Sequence, residues 1–214
     1  CSAKKNRNTT LKLIELLKFP AVCSLLGIDC ISSDNNFKVG FIGSYGNRWA
    51  NKILSECDLL IAIGTRLDIR QTGSNTESFR KNKKIWQIDI DNYELENDRI
   101  AYKNCIQLEI KDFYNKLKHL YRTKSDFKLE KNLRNWIYKI QSYKDSYPLF
   151  KEYKARGNEV NPIEFINLFS TLNKNPTIYI ADVGQHQMWS AQSLYLKHHD
   201  RFLTSGGMGA MGFG

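Results

Sequence analysis

An unbroken apolar run, Leu59-Leu60-Ile61-Ala62-Ile63, stands in the first third of the chain and ends at Gly64. Strands with one solvated face alternate apolar and polar residues, whereas an unbroken run suits a strand covered on both faces, as in parallel sheets. Two further strand candidates follow at Ile85–Ile90 and Ile106–Ile110, and apolar residues recur at helical spacing from Asn47. This alternation predicts an α/β fold with a doubly wound, Rossmann-like parallel sheet.

The pattern changes near residue 122. One amphipathic helix, marked by Trp136, Ile137 and Ile140, lies in a segment that is otherwise dense in charge and tyrosine. We therefore predict a central α/β domain over 1–121 and a connecting helical arm over 122–158.

A second α/β unit begins at Asn161-Pro162-Ile163-Glu164. Asparagine can cap a helix, proline suits the first helical position, and a glutamate at the third position can reach back to the cap. We expect Ile166 and Phe169 of this helix to face inward, and a strand to follow at Thr177–Ala181. Residues 159–214 are thus predicted to hold the first βα unit of a second domain.

Composition excludes several classes of protein. No apolar run approaches the ~18 residues that a membrane span needs, and the N-terminus lacks the apolar segment of a secretory signal. The chain is therefore expected in the cytoplasm and away from membranes. The five cysteines contain no C-x-x-C pair and the four histidines offer no partner spacing, so we expect reduced thiols and no metal site within the chain.

The net charge of +10 raises nucleic acid as a partner. The basic residues are scattered, however, and their densest excess, over 122–159, accompanies no helix-turn-helix, zinc-finger or RNP-like motif. We interpret the charge as a solvated surface. A non-catalytic nucleotide- or nucleic-acid-binding module stays open as an alternative.

Two glycine-containing loops in the first half invite a phosphate-binding interpretation. Gly40–Gly46 has the spacing G-x-x-G-x-x-G after a polar stretch, whereas the dinucleotide fingerprint is G-x-G-x-x-G after a strand, so a turn-rich loop is favoured. The loop Gly64–Gly73 follows a buried strand, where doubly wound sheets bind ligands. Arg66 and Arg70 could meet phosphates there, or pair with acids such as Asp68; both interpretations stand.

The last third carries the strongest functional signal. The turn Asp182–Trp189 follows a strand and clusters Gln185, His186 and Gln187, whose side chains can donate hydrogen bonds to a phosphate. Residues 206–214 then contain five glycines in nine positions, which lets a backbone approach a ligand closely. Together the two segments favour a cofactor that carries a polyphosphate.

The pair Asp182-Val183-Gly184-Gln185-His186-Gln187-Met188-Trp189 and Ser205-Gly206-Gly207-Met208-Gly209-Ala210-Met211-Gly212-Phe213-Gly214 resembles the large-subunit family of acetolactate synthase (acetohydroxyacid synthase). Less specific similarity extends back through Gly40–Gly46, Asp58–Arg66 and Ile88–Asp91 to that family's central domain. The resemblance implies a thiamine-diphosphate-dependent transferase or lyase of branched-chain amino acid biosynthesis. Such an enzyme decarboxylates a 2-keto acid such as pyruvate and joins the acyl fragment to a second carbonyl.

The resemblance also implies which residues bind the cofactor. Val183, Gln185 and His186 would lie at its diphosphate, while the Gly209 carbonyl and the Met211 amide would face its aminopyrimidine. The chain would be a fragment, incomplete at both ends and inactive alone. The resemblance implies no catalytic side chain within it, and places the Mg²⁺ ligands beyond Gly214. The complete protein would be a homodimer or homotetramer.

Flavin adenine dinucleotide (FAD) is a further candidate cofactor. Acetolactate synthases hold it near a segment resembling Asp-Asp-Arg-Val-Thr-Gly, and here the sequence reads Asp68-Ile69-Arg70-Gln71-Thr72-Gly73. By this similarity Arg66, Arg70, Thr72 and Gly73 are the candidate FAD residues, although the acid pair and the valine are missing. A sister carboligase or decarboxylase with another acyl donor stays an alternative to acetolactate synthase.

Overall fold

Every strand pairing in the described part of the chain is parallel. The structure, a computed structural model, describes residues 4–123, 130–150 and 157–214. The elements are, in chain order, α1 (Lys4–Leu17), β1 (Ala21–Cys23), β2 (Lys38–Phe41), α2 (Arg48–Glu56), β3 (Leu59–Ile63), α3 (Ile69–Thr72), α4 (Thr76–Arg80), β4 (Lys84–Asp89), α5 (Asn92–Glu96), β5 (Asn104–Gln107), α6 (Ile110–Thr123), α7 (Glu130–Ser146), α8 (Pro162–Leu172), β6 (Ile178–Ala181), α9 (Gln185–Ser193) and β7 (Arg201–Thr204). The strands form three groups, β1-β2, β3-β4-β5 and β6-β7.

The unbroken apolar run is β3, with the bounds expected from the sequence. It is less buried than expected: Ala62 is buried, but Leu59 is 39% exposed. The reason lies in the sheet order, because β3 pairs with β4 on one side and with no other strand in the described residues. The third predicted strand is also shifted. It covers Asn104–Gln107 rather than Ile106–Ile110, because Ile110 already begins α6.

The middle sheet packs against buried side chains on both faces. On one face, Leu13 of α1 packs with Ile88 of β4 and with Ile110 and Phe113 of α6. On the other face, Ile85 of β4 lies in a separate buried cluster with Ala62, Leu67 and Ile100. Successive strand residues point to opposite faces, so β4 contributes side chains to the buried clusters on both sides of the sheet. The predicted layered α/β fold with parallel sheets is confirmed.

The predicted helix of the arm is α7, which packs on α2. Its Ile140 is buried against Ala50, Ile53 and Leu54, and both Lys139 and Tyr143 contact the Glu56 carboxylate at the end of α2. Hydrogen bonds from Lys139 and Tyr143 hold the pKa of Glu56 below its ordinary value. Parts of the predicted arm, 124–129 and 151–156, lie outside the described residues.

Helix α8 begins as predicted. Asn161 caps it through Oδ1, which accepts hydrogen bonds from the amides of Ile163 (3.0 Å) and Glu164 (3.3 Å), with Pro162 at the first position. The expected inward face was wrong for Phe169, which is 55% exposed.

The buried side of α8 is marked instead by Ile163 and Ser170, with Asn167 between them donating a hydrogen bond to the Ser193 carbonyl of α9 at 2.8 Å. Because α8 is apolar on more than one side, its hydrophobic pattern does not identify which side is buried. The face that contacts α9 contains polar residues.

The β1-β2 and β6-β7 groups share one core. Cys23 and Phe41 pack in a single buried cluster with Ala181 and Phe202. Beside it, the buried Asp29 carboxylate accepts hydrogen bonds from Arg201 Nε (2.6 Å) and from the Phe202 amide (3.2 Å). The predicted domain boundaries, at 121/122 and 158/159, stay predictions. Among the described helices, none combines the length and the apolar character that crossing a membrane requires.

Candidate cofactor site

The turn between β6 and α9 (182–186, the β6–α9 turn) presents polar groups to solvent. Gln185 and His186 are exposed and Val183 is half-buried. Gly184 caps α9 without a side chain, and a Cβ on it would lie 2.9 Å from the His186 ring. A side chain at this position would therefore require the exposed imidazole to turn away.

The start of α9 is suited to an anion. The amides of Gln185 and His186 open this nine-residue helix, and the first amides of an α-helix find no acceptor within it. They lie at the positive end of the helix dipole. With the Gln185 amide group and the His186 imidazole beside them, these donors match the oxygen-rich surface of a diphosphate.

The segment after β7 (206–214, the glycine run) emerges beside this turn. β6 and β7 are parallel neighbours, and Ala181 pairs with Thr204 at their carboxyl ends. The Gln187 amide group of α9 donates a hydrogen bond to Thr204 Oγ1 at 2.5 Å, which ties the helix to the end of β7. The parallel pairing therefore brings two segments together that lie 20 or more positions apart in the chain.

The glycine run is open on the side where a ligand would approach. Gly209 and Gly212 have left-handed backbones, with φ of +65° and +81°. A Cβ on Gly207, Gly209 or Gly212 would meet no atom within 4 Å. Met211 is 84% exposed. The residues predicted for the pyrimidine end, Gly209 and Met211, thus border free space.

Asp182 joins the turn to the glycine run. Its Oδ1 accepts hydrogen bonds from the amides of Val183 (2.7 Å), Gly212 (2.9 Å) and Phe213 (3.3 Å), and its Oδ2 accepts from Gly212 (2.7 Å). The bond from the Val183 amide, followed by those from Gly212 and Phe213, lowers the pKa of this carboxyl below its ordinary value. Sequence reasoning did not name Asp182 as a site residue. An acid at the end of a strand was the available signal, but its partners in the glycine run lie 30 and 31 positions away.

The candidate FAD residues separate into two kinds. Arg66 and Arg70 are exposed; Arg66 lies 3.6 Å from Asp68, and Arg70 makes no ion pair with the described residues. The Thr72 hydroxyl is instead used internally, since it donates to the Asp68 carbonyl (3.0 Å) and accepts from Arg99 (2.9 Å).

Gly73, with φ of +74°, has open space beside it, and its carbonyl accepts a hydrogen bond from Arg99. The structure therefore leaves the two arginines accessible, and gives Thr72 a role inside the loop.

The Gly40–Gly46 loop is closed on itself and on α3. The Gly43 amide donates to Asn51 Oδ1 (2.9 Å), the Ser44 amide to the Arg70 carbonyl (2.8 Å), and the Gly46 amide to the Gly43 carbonyl (2.8 Å). A Cβ on Gly43 would lie 2.3 Å from that Arg70 carbonyl, so glycine is required there. Because these amides have partners, the loop matches the predicted turn rather than a phosphate cradle.

Two of the described cysteines are buried, and the described residues contain no metal-ligand cluster. Cys23 and Cys30 are buried free thiols, and burial raises the pKa of Cys23 and brings that of Cys30 to about 12. In the described ranges, no three His, Cys, Asp or Glu side chains come close enough together to hold a metal ion.

Two protein families match the chain. The family described as "Thiamine pyrophosphate enzyme, central domain" matches residues 1–117, and "Thiamine pyrophosphate enzyme, C-terminal TPP binding domain" matches residues 182–214. Thiamine pyrophosphate is another name for thiamine diphosphate. The second match contains both the β6–α9 turn and the glycine run.

Curated relatives agree with the predicted resemblance. The acetolactate synthase large subunit of Porphyra purpurea is 34% identical over 95% of this chain and 33% of its own length. The probable acetolactate synthase large subunit of Methanococcus aeolicus is 36% identical over 95% of this chain and 35% of its own length. The acetolactate synthase large subunit of Lactococcus lactis is 33% identical over 94% of this chain and 33% of its own length.

The chain thus spans about a third of the length of the curated relatives that it matches. The resemblance predicted from the motifs is confirmed by these matches. Since the central-domain family alone covers 117 of the 214 residues, the chain belongs to the thiamine pyrophosphate enzymes.

Proposed function

We propose that the chain supplies two walls of a thiamine diphosphate site in an acetolactate-synthase-like enzyme. The observation that carries this proposal is the position of the β6–α9 turn and the glycine run at the adjacent carboxyl ends of β6 and β7. When bound, the cofactor supplies the electron sink with which a 2-keto acid such as pyruvate loses CO₂ and passes its acyl fragment to a second carbonyl.

The side chains of the turn bind and orient the diphosphate. Gln185 and His186 would donate hydrogen bonds to it together with the first amides of α9, beside Val183. On the other wall, the Gly209 carbonyl and the Met211 amide would hold the aminopyrimidine, and the exposed Met211 side chain would supply an apolar support. These roles follow the family resemblance, and the exposure of the groups fits them.

Calorimetry on the full-length protein with thiamine diphosphate and Mg²⁺ tests this site. We expect His186→Ala to weaken binding roughly 10- to 100-fold, because a hydrogen bond to a charged group contributes about 1.5–3 kcal/mol. His119→Ala, which removes an exposed histidine of α6, is the matched control and should leave the affinity unchanged. Absence of binding heat in the wild type, or equal affinities in all three proteins, would disprove the assignment.

The substrate is proposed to be pyruvate or a similar 2-keto acid. The relatives named above are acetolactate synthases, which favours acetolactate as the product. Product analysis with pyruvate separates this function from a sister carboligase or decarboxylase. Acetolactate supports the proposal, and turnover of another acyl donor without acetolactate selects the sister enzyme.

A nucleotide- or nucleic-acid-binding role is the second candidate, prompted by the net charge of +10. One open cavity of about 1140 Å³ is lined partly by Arg80, Lys81, Lys83 and Lys84. It lies at the amino ends of β3 and β4, whereas ligands of doubly wound sheets bind at the carboxyl ends. A salt-sensitive gel shift without binding of thiamine diphosphate would select this role.

FAD is proposed as a second cofactor, contacted by Arg66, Arg70 and the Gly73 backbone, with Thr72 supporting the loop from within. Flavin absorbance of the purified protein, and its loss in Arg70→Ala, tests this.

Mg²⁺ is proposed to accompany the diphosphate, so chelation should abolish the binding heat. Assembly as a homodimer or homotetramer, and a cytoplasmic location, are further proposals that light scattering and cell fractionation would check.

A further inference from the structure

One carboxylate brackets both walls of the proposed site. Asp182 accepts the Val183 amide at the start of the β6–α9 turn, and the Gly212 and Phe213 amides at the far end of the glycine run. The residues proposed to face the cofactor, Gln185 and His186 on one wall and Gly209 and Met211 on the other, all lie between these bonded amides along the chain.

The glycine run needs such an anchor. Glycine loses more conformational freedom than any other residue when its backbone is ordered, and five of these nine positions are glycine. Near the beginning of the run, Ser205 Oγ accepts the Ala210 amide at 3.1 Å. Toward the end, the amides of Gly212 and Phe213 donate to Asp182 alone among the described acceptors.

The geometry points to Asp182 as a positioning residue, whose carboxylate holds the glycine run against the β6–α9 turn so that the Gly209–Met211 backbone is ready for the cofactor. This inference rests on the proposed thiamine diphosphate site. Asp182 is not assigned a bond to the cofactor, because its oxygens already accept hydrogen bonds from three backbone amides, with the Gly212 amide shared between the two oxygens. It acts through the backbone that it orders.

The test compares Asp182→Asn with the wild type of the full-length protein. Asparagine keeps the shape but replaces one acceptor oxygen by a donor, and in either orientation of the side chain that donor faces the Gly212 amide, which also donates. Hydrogen exchange of the Gly212 and Phe213 amides should accelerate about tenfold, because their local opening becomes easier. The Kd for thiamine diphosphate should rise by a similar, roughly tenfold factor, while kcat at saturating cofactor stays within about twofold.

Two variants serve as controls. Asp34→Asn removes the same charge from an exposed loop position and should change neither exchange nor affinity. Asp182→Glu retains the carboxylate and should recover most of the affinity that Asp182→Asn loses. Equal loss in Asp182→Glu and Asp182→Asn would show that the acceptor oxygens are not what matters.

The outcomes separate this inference from the proposed function. Unchanged exchange in Asp182→Asn overturns the inference, and so does accelerated exchange with an unchanged Kd. If the wild type binds no thiamine diphosphate, the proposed function and the positioning role fail together, while exchange still reports whether the carboxylate orders the run.

Should Asp182→Asn fail to fold, the wild type labelled with ¹⁵N-glycine provides the measurement. The Gly212 amide proton should then follow the titration of a carboxyl group with a lowered pKa, and the Gly207 amide should not. Identical behaviour of the two amides would overturn the inference.

Discussion

At the scale of single residues, the glycine run shows why particular glycines matter and others do not. Gly212 has a left-handed backbone, with φ of +81°, whereas Gly207 does not adopt the left-handed region. Neither position would bring a Cβ within 4 Å of another atom. The two glycines therefore differ in backbone conformation rather than in available space.

Gly212→Ala is expected to weaken thiamine diphosphate binding by roughly five- to thirtyfold, because a left-handed alanine costs about 1–2 kcal/mol. Gly207→Ala should stay within about twofold, since no such backbone cost applies. Titration calorimetry of both variants checks this difference. Equal effects would show that side-chain bulk, and not backbone conformation, limits the run.

At the scale of secondary-structure elements, helix starts depend on side-chain caps whose burial differs. Asn161 at the start of α8 is buried and accepts two amide hydrogen bonds. Asn75 at the start of α4 is exposed and accepts one, from Ser78 at 2.9 Å. Helix α8 spans 11 residues and contacts α9, whereas α4 spans five.

We expect Asn161→Ala to lower the free energy of unfolding by about 1–2 kcal/mol, the upper part of the range for helix caps. Burial leaves the freed amides of α8 with little access to water, which adds to the loss. Asn75→Ala should cost only about 0.5 kcal/mol. Urea denaturation of the two variants measures the difference, and an equal or larger cost at Asn75 would contradict the argument.

At the scale of the whole molecule, the first and last parts of the chain depend on each other. Cys23 and Phe41 share a buried cluster with Ala181 and Phe202. Asp29 adds a polar link to β7, since its buried carboxylate accepts hydrogen bonds from Arg201 and from the Phe202 amide. Disturbing Asp29 should therefore affect the strand that leads into the glycine run.

Asp29→Asn is expected to lower the free energy of unfolding by about 2–3 kcal/mol, because it removes one partner of a largely buried charge pair. The exposed Asp34, five positions away, provides the control, and Asp34→Asn should change stability by less than about 0.5 kcal/mol. Chemical denaturation followed by tryptophan fluorescence gives both values. A loss below about 1 kcal/mol in Asp29→Asn would indicate that the link contributes little.

Local patterns in the sequence predicted the elements well where one physical rule dominated. The apolar run became β3, and the Asn-Pro start became α8, because strand burial and helix capping act within a few residues. Predictions failed where an element had two apolar sides, as for Phe169, or where the sheet edge decided burial, as for Leu59. Both depend on neighbours that a local pattern does not specify.

The sequence by itself determined the parallel α/β class, through unbroken apolar strands, and the chemistry of the candidate cofactor segments, through their glycines and polar side chains. Only the tertiary structure decided how those segments meet. Parallel pairing of β6 with β7 places their carboxyl ends side by side. It thereby brings the Asp182 carboxylate to amides 30 positions away, a contact that strand pairing determines and that residue order does not reveal.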